Sequence, residues 1–152
     1  MLKVGETAPE FALEDQNGTV ITSAELKGSP YVIYFYPKDS TPGCTKQAQA
    51  YSENLEKFQA AGYRVFGVSK DSVASHKKFE EKYDLKITLL SDPERKTIEG
   101  FDVWQEKKNY GKVSMGVVRS SFVVDENGVV IIANPNTKAA VDCQKVLGQL
   151  GL

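Results

Sequence analysis

Tyr31-Val32-Ile33-Tyr34-Phe35-Tyr36-Pro37-Lys38-Asp39-Ser40-Thr41-Pro42-Gly43-Cys44-Thr45 is the stretch whose reading decides the fold. Its first six residues are continuously apolar or aromatic. Such a run fits a central strand buried on both faces and is too short for a typical helix. Two prolines and a glycine then make a loop, and a helix is predicted over 45–60. Ala48, Tyr51, Leu55 and Phe58 recur there at spacings of three and four and form one apolar stripe. Cys44 is expected to lie off that stripe, at the helix mouth, where a thiol is placed for chemistry rather than packing.

Upstream, residues 11–15 and 19–22 are predicted as a hairpin about Gln16-Asn17-Gly18, because Asn-Gly tolerates the positive φ of a tight turn. Ser23-Ala24-Glu25-Leu26 makes one helical turn. Downstream, 63–69 is a second buried strand. Asp71-Ser72 cap a helix running to Tyr83, with Val73, Phe79 and Tyr83 facing inward. A strand over 87–90 follows, and Asp92-Pro93-Glu94 has the cap and proline of a helix start. Residues 105–112 are polar and read as an exposed loop. Residues 117–125 and 129–133 form a hairpin about Glu126-Asn127-Gly128. The last helix spans 137–149, with Ala139, Ala140, Cys143, Val146, Leu147 and Leu150 on one face.

Strands joined through a helix lie parallel with a right-handed crossover, and a terminal hairpin adds antiparallel edge strands. The expected architecture is α/β: a thioredoxin-like fold with a central mixed sheet flanked by helices and an N-terminal β-hairpin, in a single domain over 1–152. A chain of 152 residues buries enough surface to fold without a disulfide or metal. With 19 basic and 20 acidic residues, a net charge of −1 gives no electrostatic case for nucleic acid or a membrane as partner. The N-terminus lacks the apolar core of a secretory signal, and the two cysteines are too few for a disulfide scaffold, so a cytoplasmic location is expected.

The chemistry centres on Cys44. A thiolate is the nucleophile, and a helix N-terminus or a nearby arginine favours it. Thr41, three residues earlier, can return its hydroxyl to the same pocket, to donate to the thiolate or accept from a substrate O–H. Pro37 and Pro42 stiffen the loop, and Pro37 offers a compact wall with no N–H.

The segment 34–45, with Pro37-x-x-x-Thr41-x-x-Cys44 at its centre, resembles the active-site segment of the peroxiredoxins, and of their bacterioferritin comigratory protein branch in particular. Val4-Gly5-x-x-Ala8-Pro9-x-Phe11, Phe101-Asp102-Val103-Trp104, Tyr110-Gly111-Lys112, Met115-Gly116 and Arg119-Ser120-Ser121-Phe122 extend the resemblance over the chain. It implies a thiol-dependent peroxidase that reduces hydrogen peroxide and organic hydroperoxides through a cysteine sulfenic acid, without a cofactor. By resemblance, Cys44 is the peroxidatic cysteine, Thr41 hydrogen-bonds the peroxide oxygens, Pro37 shields the thiolate from water, and Arg119 lies beside the sulfur and holds the peroxide. From the residues alone, Arg119 is a cation at a strand start.

Two positions depart from the branch. Gln49 stands where many members carry a resolving cysteine, and Gln47 stands where a glutamate is common. Either an external thiol (thioredoxin, glutaredoxin or a small thiol) regenerates Cys44, or Cys143 does; as a helix-face residue, Cys143 reads as a small buried hydrophobe. His76, beside Lys77 and Lys78, reads as a solvated surface residue. One histidine and two distant cysteines give no metal spacing. Trp104 and Tyr110 are candidates for the pocket wall or for packing. A monomer is expected, since no long C-terminal arm follows the last helix. The alternatives to a peroxidase are a disulfide reductase, which the missing Cys-x-x-Cys disfavours, and a peroxide-sensing switch or holdase without efficient turnover.

Overall fold

The computed structural model describes residues 1–152, the side chain of Asn109 excepted. The central strand is β3 (Tyr31–Phe35), buried along its whole length. Parallel neighbours on one side are β4 (Arg64–Ser69) and then β5 (Thr88–Ser91); on the other side β8 (Ser120–Val124) and β9 (Val130–Asn134) run antiparallel. The hairpin of β1 (Ala12–Glu14) and β2 (Val20–Thr22) joins at the far edge, giving a seven-stranded mixed sheet ordered β2-β1-β5-β4-β3-β8-β9. The expected mixed sheet, flanking helices and N-terminal hairpin are all present.

Strand alternation divides the core in two. Tyr31, Ile33 and Phe35 pack on one face with Phe66, Ile98, Phe101 and Phe122. Val32, Tyr34 and Tyr36 pack on the other with Cys44, Tyr51, Phe58, Phe79 and Val146. The second face is covered by α2 (Pro42–Glu53), α3 (Leu55–Ala60), α4 (Val73–Tyr83) and α6 (Asp142–Leu150). The first receives α1 (Ser23–Leu26) and α5 (Lys96–Gly100).

Several boundaries differ from the sequence reading. The single helix over 45–60 begins at Pro42 and breaks at Asn54, whose amide donates to Ala50 O at 2.8 Å. Asp92 does cap, but from a distance: its carboxylate accepts from Ile98 N at 2.8 Å, while Arg95 holds the N-cap position with φ 63°. The last helix starts at Asp142 rather than 137. The polar segment read as a loop is an antiparallel ribbon of β6 (Trp104–Asn109) and β7 (Lys112–Val117). Tyr110 and Gly111 turn it, with φ of 52° and 78°. Among the described residues its strands pair only with each other, and its base, where Trp104 faces Val117, packs on the core.

Candidate active site

Thr41 is the N-cap of α2 and Pro42 its first residue, where the missing N–H costs no hydrogen bond. Cys44 therefore lies inside the first turn, four residues before Ala48 and seven before Tyr51. That spacing puts it on the buried stripe, contrary to expectation, and it is only 2% exposed. The free N–H groups and positive dipole end of the helix lie beside the sulfur.

The chain between β7 and β8 is Val118-Arg119, and there the arginine turns back across the sheet end. Arg119 Nη2 donates to Cys44 Sγ at 3.5 Å and Nη1 to Gln47 Oε1 at 2.5 Å. Its carbonyl accepts from Thr137 N at 2.8 Å, which holds the backbone. Gly43 lies against it: a Cβ there would stand 3.4 Å from Nη2.

Thr41 Oγ1 donates to Lys38 O at 2.8 Å, so its hydrogen is committed to the loop and not to the sulfur. Pro37, half-buried, lines a cavity of about 710 Å³ together with Arg119, Val118, Lys107, Met1 and Thr137. Lys107 reaches in from the ribbon and donates to Val117 O at 2.7 Å; burial, then the Arg119 charge, pushes its amine below the usual value. Trp104 is half-buried under the side chains of Arg95 and Lys70, and Tyr110 projects fully into solvent, so neither lines this cavity. A groove of about 550 Å³ between β1 and the segment leading into α5 shares none of the cavity's residues.

Residues 4–133 match the AhpC/TSA family. The chain belongs to that family. It is 40% identical over 149 residues to the putative peroxiredoxin bcp of Coxiella burnetii, covering 98% of this chain and 99% of the relative. Among solved structures, it matches the bacterioferritin comigratory protein of Xanthomonas campestris, studied for its alkyl peroxide reduction activity, with a TM-score of 0.88 at 39% identity over 93% of this chain and 90% of the other. PrxQ of Xylella fastidiosa gives a TM-score of 0.93 at 30% identity over 99% and 96% of the two chains. These matches bear out the peroxiredoxin resemblance and the thioredoxin-like fold.

In this AhpC/TSA-family chain the second cysteine lies on a different helix, α6 rather than α2. Cys143 is buried on α6 and free, and burial, with Asp142 beside it, raises its thiol pKa to about 12. A thiol held that high is almost entirely protonated near neutral pH.

His76 corrects the surface reading outright. It is fully buried, and its Nε2 donates to Leu90 O at 2.9 Å, since a carbonyl can only accept. Nδ1 faces Asp39 Oδ2 at 2.7 Å, and Asp39 also receives Tyr36 OH at 2.6 Å and Ser75 Oγ at 2.8 Å. Asp71 Oδ2 accepts from Asp39 N at 2.9 Å. The loop carrying Pro37 and Thr41 is thereby tied to α4 and β5. Asp39, Asp71 and His76 offer ligand atoms within 4.8 Å of one another, a grouping that chain spacing hides, but internal hydrogen bonds engage these groups. A signal for His76 existed: it falls three residues after Val73 and three before Phe79, on the inward stripe of α4.

Asp142 is also fully buried and was not singled out from the sequence. Its Oδ2 accepts from Gln47 Nε2 at 3.0 Å and Tyr51 OH at 2.6 Å, and its Oδ1 from Ser121 Oγ at 2.7 Å. Burial and Asp142 push the Tyr51 hydroxyl well above its ordinary value, so it stays a donor.

Proposed function

We propose that this protein is a thiol-dependent peroxidase whose nucleophile is Cys44. The observation that carries the reading is the Arg119 guanidinium 3.5 Å from a sulfur in the first turn of a helix. The Cys44 thiolate attacks the terminal peroxide oxygen. The O–O bond breaks, sulfur takes the hydroxyl, and the leaving oxygen takes a proton from solvent and departs as water or an alcohol. Thr41, whose own hydrogen goes to Lys38 O, keeps lone pairs to accept the peroxide O–H. Arg119 and the first-turn N–H groups stabilise charge on the breaking bond. Pro37 closes the loop side against water. Membership in a peroxiredoxin family supports the substrate class, hydrogen peroxide and organic hydroperoxides.

The Cys44 sulfenic acid is then attacked by an external thiol, releasing water and forming a mixed disulfide that a second thiol reduces. Thioredoxin, glutaredoxin or a small thiol fills this role, and Cys143 is structural; its burial and high pKa support that assignment. Residues 1–152 are proposed to act as one unit, monomeric and cytoplasmic, which light scattering and cell fractionation test. For the activity, Cys44→Ser should abolish peroxide consumption while Cys143→Ser retains it. Multiple turnovers with one of the three reductants are expected. A single stoichiometric oxidation with every reductant would instead make the protein a sensor, and full activity in Cys44→Ser would overturn the reading.

A further inference from the structure

Gln47 stands between a group that only donates and a group that only accepts. The Arg119 guanidinium has no acceptor, and the Asp142 carboxylate has no donor when ionised. The amide of Gln47 therefore has one allowed orientation, oxygen to Arg119 at 2.5 Å and nitrogen to Asp142 at 3.0 Å. The far side of Asp142 is fixed as well. Ser121 Oγ accepts from Asn134 Nδ2 at 3.1 Å, so its hydrogen is free to point only at Asp142, 2.7 Å away. Asn134 is set in turn by a reciprocal amide pair with Gln149, at 2.9 Å in each direction. Asp142 opens α6, where the unpaired N–H groups of a helix start favour an anion.

We propose that Asp142 is a positioning residue that aims Arg119 at the Cys44 sulfur through the Gln47 amide. The assignment rests on the peroxidase reading of Cys44 and deepens it. It accounts for the glutamine at 47: a glutamate would set a second carboxylate against Asp142 within hydrogen-bond distance, and one of the two would have to bind a proton. Gln47 and Asp142 thus belong together as a pair, and neither touches the peroxide.

The test measures the single-turnover rate of Cys44 oxidation by hydrogen peroxide in a double-mutant cycle. Asp142→Ala removes the acceptor and frees the Gln47 amide to turn; the rate should fall about tenfold, within the range that a hydrogen-bonded network couples. Asp142→Asn, the near-isosteric variant, keeps one oxygen for Gln47 and Tyr51 and should lose about threefold. In an Arg119→Met background both losses should vanish, because the side chain being aimed is gone. An equal loss in the two backgrounds would assign Asp142 a general structural role and overturn the proposal, as would a wild-type rate in Asp142→Ala. Should Asp142→Ala not fold, the Asp142→Asn pair of measurements decides alone. If the unmutated protein does not consume peroxide, the peroxidase reading fails first, an outcome distinct from an active wild type indifferent to residue 142.

Discussion

Arg119 and Cys44 are 75 residues apart in the chain, and the guanidinium Nη2 donates to the sulfur at 3.5 Å. The contact joins the start of α2 to the break between β7 and β8. Arg119→Met removes the cation while keeping much of the side-chain volume, and the rate constant for reaction with peroxide should drop about 100-fold, as for loss of one preorganised donor. Arg119→Lys should recover only part of it, because a single ammonium does not replace a planar fork that serves sulfur and Gln47 together. Stopped-flow oxidation of the reduced protein measures both.

Cys143 yields a prediction in pH. Its thiol pKa is raised from 9.0 to about 12, so the fold favours the neutral form. That contribution to stability is complete below about pH 9 and is lost as pH rises toward 12. Wild type should therefore lose stability faster than Cys143→Ala across this window in urea titrations. Tyr31, whose burial raises its hydroxyl to about 12, titrates in both proteins and cancels in the difference. In native protein at pH 8, iodoacetamide should leave Cys143 unmodified until denaturant is added.

His76→Leu should be costly despite its apolar gain. It strands the buried Asp39 carboxylate without its ring partner and removes the Nε2–H bond to Leu90 O. Breaking such a pair costs about 3 kcal/mol, visible as a lower urea midpoint. The loop over 37–41 should also be cut faster in limited proteolysis, since Asp39 is its tether to α4.

Gly67 lies at the centre of β4 under the Tyr34 ring. A Cβ there would stand 2.8 Å from both the Cζ and the hydroxyl oxygen of Tyr34. Tyr34 cannot retreat, because it stacks on Tyr51 with centroids 4.6 Å apart. Gly67→Ala should cost about 2 kcal/mol from overpacking, measured by thermal or chemical unfolding. A stability equal to wild type would show that the tyrosine pair can slide.

The sheet is readable because its central strands β3, β4 and β8 are apolar on both faces and its hairpin turns carry Asn-Gly. The ribbon was not, since Gln105, Glu106, Lys107 and Lys108 show no apolar alternation and the turn residue before Gly111 is a tyrosine. Cys44, Thr41 and Pro37 were visible as a local pattern. Arg119 came only through family resemblance, because nothing in a strand-start arginine points to a sulfur across the sheet. His76 has lysine neighbours that suggest a surface, but its helical register, in line with Val73 and Phe79, puts it inside. Asp142 carried no local signal at all: its partners sit on α2 and β8, and only the closed fold brings them together.

The order of the chain has a consequence for biosynthesis. During translation the sulfur leaves the ribosome 75 residues ahead of its guanidinium, and the carboxylate on α6 follows later still. A nascent chain thus carries the thiol while its later partners are still unmade. The Arg119–Cys44 contact and its link to Asp142 form only when the strands and helix made last dock, so on the reading proposed for Cys44 its reaction with peroxide waits on completion of the fold.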